Sequence, residues 1–132
     1  LRYTTDGKPY LEHGPHISFS HTRDFAAVAI GQSPIGVDVE RHRIKVKRVA
    51  KKFVNPADQA PQQTIAELTD LWCAKESMYK AISIPGIRFS KDIFVDLSTP
   101  EKEIAIYRDQ TYDLFRYAWQ NHSCAVTIKN QV

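Results

Sequence analysis

Only one stretch of this chain sustains a long helical period, and short alternating apolar runs lie on both sides of it. From about Thr64 to about Ile82 apolar residues recur at helical spacing, and Pro85-Gly86 closes the run. His16 to Ser20 and Phe25 to Ile30 read as strands joined by a hairpin at His21-Thr22-Arg23-Asp24, and Ile35 to Glu40 follows as a third strand after the Gln32-Ser33-Pro34 break. Asp92 to Leu97, Glu103 to Tyr107, Tyr112 to Trp119 and Ser123 to Lys129 read as four more. Thr5-Asp6-Gly7-Lys8-Pro9 is a turn, and Asn55-Pro56 reads as a helix start with Asn as N-cap, Pro at the first helical position and Asp58 at N3, soon interrupted by Pro61. Strands grouped apart from helices predict an α+β fold with antiparallel β-sheet packed on helices, not a doubly wound parallel sheet.

A chain of 132 residues with 42% apolar and 25% charged residues suits one globular domain or two small half-domains sharing a core. No run is long enough to span a membrane, no charged-then-apolar leader is present, and two cysteines, Cys73 and Cys124, read as reduced thiols; together these predict a cytoplasmic protein. The first residue is Leu1, not Met, which leaves room for a preceding segment. The net charge of +3 is unevenly spread: Arg41 to Lys52 holds seven basic residues and no acid. Removing those seven from the 18 basic residues leaves 11 against 15 acidic ones over the rest of the chain. Val46, Val49, Ala50 and Phe53 recur through that block at helical spacing, so it predicts an amphipathic helix whose basic face is either merely solvated or docks an acidic or phosphorylated partner.

Three acids stand where apolar or neutral residues are expected. In Pro34-Ile35-Gly36-Val37-Asp38-Val39-Glu40 the strand alternation puts Val37 and Val39 on one face and Asp38 and Glu40 on the other, beside Gly36. Two like charges so placed repel unless a cation lies between them, and Gly36 leaves room for a ligand to approach. An edge strand with a solvated face accounts for the same pattern. On the long helix, Lys75 and Glu76 interrupt the stripe of Leu68, Leu71, Trp72, Met78, Tyr79 and Ile82. Snorkelling and an i,i+4 pair with Lys80 explain Lys75 more easily than the shorter Glu76. Asp38, Glu40 and Glu76 together offer carboxylate oxygens to a hard divalent cation such as Mg²⁺, with Lys75 and Lys80 near to neutralise phosphates. Neither a G-x-x-x-x-G-K-[ST] loop nor a G-x-G-x-x-G turn is present.

Three motifs in order then resemble the phosphopantetheinyl transferases of the surfactin-synthetase-activating (Sfp) type. They are Gly7-Lys8-Pro9 with His16-Ile17-Ser18-Phe19-Ser20-His21-Thr22, Gly36-Val37-Asp38-Val39-Glu40, and Trp72-Cys73-Ala74-Lys75-Glu76-Ser77-Met78-Tyr79-Lys80. The resemblance implies transfer of the 4'-phosphopantetheine arm of coenzyme A to a serine of an acyl or peptidyl carrier protein, with Mg²⁺ and release of adenosine bisphosphate. It implies Asp38, Glu40 and Glu76 as metal ligands and Lys80, with Lys75 near it, at the pyrophosphate. Ser20 and His21 would then meet a coenzyme A phosphate, and Gly7, Lys8 and Pro9 the adenine side. The family's acid near the start of the second helix, usually Glu, matches Asp58, so Asp58 and Glu76 are the implied catalytic acids; by its own position Asp58 reads equally as a helix cap. The resemblance further implies two pseudo-twofold half-domains, with residues 1–33 closing an incomplete first half and residues 34–132 forming the second.

An acidic carrier protein and coenzyme A are thus the expected partners, with no nucleic acid and no membrane. The basic block gains a purpose in docking the carrier. A nucleic-acid-binding module is the rival reading, but inward carboxylates repel a phosphate backbone. A zinc site on His13, His16 and His21 matches no common spacing. An inactive member that only binds carriers is a third reading, against which the intact acids and helix lysines speak.

Overall fold

The computed structural model describes residues 1–130. A small hairpin of β1 (Arg2–Tyr3) and β2 (Pro9–Tyr10) opens the chain, turning at Gly7, whose φ of 88° suits a residue without a side chain. β3 (His16–His21) and β4 (Ala26–Gly31) pair antiparallel as a second two-stranded sheet. β5 (Ile35–Arg41) then enters the main sheet, followed by the short helix α1 (Lys45–Val49), a 3-10 turn over Ala50–Lys52 and the long helix α2 (Ile65–Ile82). β6 (Ile93–Asp96), β7 (Ile104–Tyr107), β8 (Gln110–Trp119) and β9 (His122–Lys129) complete an antiparallel sheet in the order β5-β9-β8-β7-β6. The α+β class and every predicted strand are present, with ends displaced by one or two residues.

α2 starts with a capping box. Thr64 Oγ1 accepts from the Glu67 amide at 3.0 Å while Glu67 Oε1 accepts from the Thr64 amide at 3.0 Å. It ends where Ser83 turns left-handed at φ 60°. The helix lies across one face of the main sheet. Leu71, Cys73, Ala74 and Met78 from α2, Ile93 and Val95 from β6, Ala105 from β7 and Ala125 from β9 are sealed between them, with Phe53 and Trp72 in edge contact at 5.1 Å beside them. The opposite face of β5 and β9, with Ile35, Val37, Val39 and Cys124, packs against Ala29 of β4.

β5 is the edge of the main sheet, and β3 lies beside that edge without pairing to it as a strand. The Val37 and Val39 amides instead donate to Ser18 Oγ and Ser20 Oγ, each at 3.0 Å. Lys80 Nζ donates to Phe19 O at 3.1 Å and to Val37 O at 2.9 Å. Side chains therefore satisfy the exposed edge that a partner strand would otherwise take.

Two expectations need correction. No helix starts at Asn55-Pro56. Asn55 Oδ1 accepts from the Ala57 amide at 2.8 Å in a single turn, because Gln59 is drawn into a bridge with Asp96 at the sheet end, where its amide donates to Val95 O at 2.9 Å. The room left by Gly36 is not taken by a ligand. A Cβ there would stand 1.8 Å from Ser77 O and 2.8 Å from Ala81 N, so the glycine admits the backbone of α2. None of the described helices is long and apolar enough to cross a membrane.

Candidate active site

The alternation of β5 sends Asp38 and Glu40 to the face covered by α2, opposite Ala125 and Ser123 of β9. Glu76, on α2, is close enough for its charge to act on Asp38. Asp38 is 3% exposed. Burial first, then the charge of Glu40, push its carboxyl up to about 8, with Glu76 adding to the shift and Lys80 opposing it. Glu76 is raised by burial and by Glu40, again against Lys80. Ionised together, the three acids of this row repel one another, and the ammonium of Lys80 only partly offsets that repulsion.

Lys80 Nζ stands 3.3 Å from Asp38 Oδ1, and Ser20 Oγ lies 3.3 Å from the same oxygen. Asp38 Oδ2 is buried and has no hydrogen-bond partner among the described residues. Among the described residues no three His, Cys, Asp or Glu side chains converge tightly enough to hold a metal, the three acids and the amino-terminal histidines included. The donor set nevertheless fits a hard cation: an orphaned carboxylate oxygen, two further acids on the same face, and a local excess of negative charge.

Two cavities border this row. One, of about 480 Å³, lies between the β1–β2 hairpin and the carboxyl end of α2, with Gly7, Lys8, Pro9, Phe19, Tyr79 and Lys80 in its wall. Lys8 Nζ donates there to Lys80 O at 3.1 Å and to Ser83 Oγ, capping the negative end of the helix, and burial lowers its pKa. The other, of about 370 Å³, is lined by Glu40, Thr69, Trp72 and Thr22 together with His21, Arg23, Arg41, Arg43 and Lys45. The sequence puts His21 at a coenzyme A phosphate and Arg41, Arg43 and Lys45 in a separate docking face; the fold lines one cavity with all four.

Lys75 and Asp58 lie elsewhere. Lys75 Nζ is 3.0 Å from Asp58 Oδ2, both side chains at 0% exposure, and it also donates to Phe89 O at 3.0 Å and Ile93 O at 2.5 Å. Asp58 further accepts from the Asn55 amide at 2.8 Å and the Val95 amide at 2.9 Å. Every proton of the ammonium is committed and the carboxylate is closed off from solvent. The expected phosphate contact and the expected base are therefore a structural ion pair in this conformation. Of the predicted site residues, the fold gathers Asp38, Glu40, Glu76, Lys80 and Ser20 in one row, sets Lys8 and Pro9 at one end and His21 at the other, and leaves Asp58 and Lys75 out.

A family model described as the 4'-phosphopantetheinyl transferase superfamily matches residues 34–128. The chain is 29% identical over 111 residues to a 4'-phosphopantetheinyl transferase of Bacillus subtilis, covering 72% of this chain and 50% of that protein. It is 31% identical over 83 residues to the 4'-phosphopantetheinyl transferase gsp of Aneurinibacillus migulanus, covering 58% and 35%. It is 27% identical over 132 residues to the 4'-phosphopantetheinyl transferase Sfp of Bacillus subtilis strain 168, covering 86% and 58%. The chain spans about half the length of the curated relatives it matches. The matched span runs from the strand of Asp38 and Glu40 through the helix of Glu76 and Lys80 to the last strand, and on that span the chain belongs to the 4'-phosphopantetheinyl transferase superfamily.

Proposed function

We propose that this chain takes part in transfer of the 4'-phosphopantetheine arm of coenzyme A to a serine of an acyl or peptidyl carrier protein. The observation that carries the reading is the acid row itself. Asp38 Oδ2 is buried without a hydrogen-bond partner among the described residues, beside Lys80, with Glu40 and Glu76 on the same face, in a member of a transferase superfamily.

The serine oxygen attacks the β-phosphorus of coenzyme A, the bond from that phosphorus to the bridging oxygen breaks, and adenosine bisphosphate leaves. Such a displacement needs charge neutralisation and in-line placement more than covalent help. Asp38, Glu40 and Glu76 would hold Mg²⁺, which when bound neutralises the pyrophosphate oxygens. Lys80 holds the edge of β5 in register with β3 and adds positive charge at the same place. Lys8 and Pro9 shape the cavity that would take the adenine end, and His21 stands in the opposite wall. The serine proton would go to a carboxylate; Asp58 is sealed by Lys75, and of the half-buried acids Glu40 and Glu76 we assign this role to Glu76. The exposed basic residues of α1 would face an acidic carrier. Two unpaired cysteines, Cys73 and Cys124, suit a cytoplasmic setting. A boundary between residues 33 and 34 suits the separate sheet of β3 and β4 and the start of the family match; two pseudo-twofold halves are part of the same proposal.

The test is to incubate the chain with coenzyme A, Mg²⁺ and several apo carrier proteins and weigh the carrier. A mass gain of one phosphopantetheine on the serine, lost in Glu76→Gln, is expected. No gain with any carrier overturns the reading for this chain.

A further inference from the structure

Arg23 lies in the four-residue turn 22–25, and His21 ends β3 just before it, opposite Ala26 of β4. Thr22 begins that turn: its amide donates to Phe25 O at 2.7 Å, and its hydroxyl accepts from the Asp24 and Phe25 amides at 3.3 and 3.2 Å. His21, Arg23 and Asp24 are exposed. A side-chain hydrogen bond also ties the turn to another sheet. Thr22 Oγ1 lies 3.1 Å from Nε2 of His122, the first residue of β9.

His122 is 3% exposed, and its other nitrogen, Nδ1, lies 2.9 Å from Gln120 O. A carbonyl only accepts, so Nδ1 carries the proton and Nε2 is left as an acceptor. The Thr22 hydroxyl already accepts twice, so its own proton is free to donate to that nitrogen. The accounts of both groups close in this one arrangement and in no other neutral tautomer. The ring is fixed from the sides as well. Phe25 meets it edge-on at 4.7 Å, Trp119 stacks at 6.2 Å, and Phe25 and Trp119 touch edge-on at 5.3 Å. Trp119 and His122 are opposite each other across a two-residue turn, Gln120-Asn121, both at positive φ of 44° and 59°, as a tight hairpin of this twist requires. His122 is also directly across from Arg41 of β5, a second residue of the same cavity wall.

We propose that His122 is a positioning residue. Through the Thr22 hydroxyl it holds the tip of the β3–β4 hairpin so that His21 and Arg23 face the cavity shared with Arg41, Arg43 and Lys45, and so sets the anion-binding wall. As applied to coenzyme A, this rests on the function proposed above. Thr22 itself lines that cavity, whereas His122 does not and acts only through the hairpin. Their effect is on the affinity with which the preorganised wall meets a phosphate.

The experiment compares His122→Phe, which keeps the ring contacts and removes both hydrogen bonds, with Thr22→Val, which approaches the same bond from the exposed side, and with Thr22→Ser, which restores it. Coenzyme A is titrated calorimetrically into each folded variant, and amide exchange is followed at Asp24 and Phe25 in wild type and His122→Phe. Expected are an affinity lowered about fivefold in each of the first two, the loss that a single net hydrogen bond of about 1 kcal/mol implies. The double variant is no weaker than either alone. Thr22→Ser stays near wild type, and the tip amides exchange faster in His122→Phe. Unchanged affinity in both single variants, or additive losses in the double variant, overturns the proposal. Should the wild-type chain bind no coenzyme A, the transferase reading is what fails. The positioning claim then stands or falls on exchange at the tip: faster exchange in His122→Phe supports it and unchanged exchange overturns it.

Discussion

Lys75 and Asp58 show how a charged residue on an apolar helix stripe can be structural. Removing an ammonium and a carboxylate from water is costly, and only complete pairing offsets it. Here Lys75 gives its protons to Asp58, Phe89 O and Ile93 O, while Asp58 accepts from Lys75 and from the Asn55 and Val95 amides. Burial lowers the pKa of Lys75 and the neighbouring carboxylate draws it back up. The pair joins α2 to the turn at residues 55–58 and to the start of β6. Urea unfolding should show Lys75→Met and Asp58→Asn each destabilised by about 3 kcal/mol, the scale for stranding a buried charge. The double variant should lose clearly less than the sum, because neither charge is then left alone. Additive losses would mean that the two groups are not coupled. The sequence shows that Lys75 lies on the wrong face for a solvated lysine, but its partner is 17 positions away in a segment that looks like a helix cap, and nothing local links the two. Asp38 and Glu76 were readable for the opposite reason: strand alternation and helical spacing alone turn them inward.

At the scale of elements, α2 depends on its ends and α1 on its packing. The capping box of Thr64 and Glu67 satisfies two amide donors that would otherwise be open at the start of α2. Thr64→Ala should lower stability by about 1 kcal/mol in thermal or urea unfolding, and Thr64→Ser should recover most of it. The apolar period alone puts the helix start near Thr64 from the sequence, without use of the T-x-x-E spelling of this box. α1 has no side-chain cap and no buried residue of its own; Val46 and Val49 lean on the core and Phe53 beyond it is sealed. Its Lys45, Lys47 and Arg48 are exposed and enter no ion pair among the described residues. Reversing Lys47 and Arg48 to Glu should therefore leave the melting temperature nearly unchanged. If the helix docks an acidic carrier, KM for the carrier should rise about tenfold at low salt and less at high salt, while coenzyme A affinity holds. An unchanged KM would make this a merely solvated face. The amphipathic period of the block gave the helix, but not its shortness: Arg41 is still in β5, and only five residues are α-helical before the 3-10 turn.

At the scale of the whole molecule, the β3–β4 sheet and the main sheet are held side by side without a shared ladder, and the row of acids sits at that seam. β3 meets the edge of β5 through hydroxyls rather than backbone pairing, so Ser18 and Ser20 act as substitute acceptors for the Val37 and Val39 amides. The same seam carries Lys80 across to Phe19 O, and Ser20 also touches Asp38. The integrity of the seam and the geometry of the acids are thus one property. No periodicity announces such a contact, because alternation says which way a side chain points and not that its hydroxyl will stand in for a strand; Ser-x-Ser in β3 looks only like the polar face of a hairpin. Ser18 isolates the mechanical part, being 4% exposed and bound to the Val37 amide away from the carboxylates. Ser18→Ala leaves that buried donor without an acceptor, a loss of about 1–3 kcal/mol. Because the loss falls on the seam, it should appear first as faster amide exchange at Val37 and along β3, with α2 and the pairing of β8 and β9 still protected. Ser18→Thr, which keeps an acceptor oxygen, should protect Val37 better than alanine does. If Ser18→Ala instead speeds exchange evenly through α2 and the main sheet, the two sheets unfold as one unit and the seam is not a separate joint.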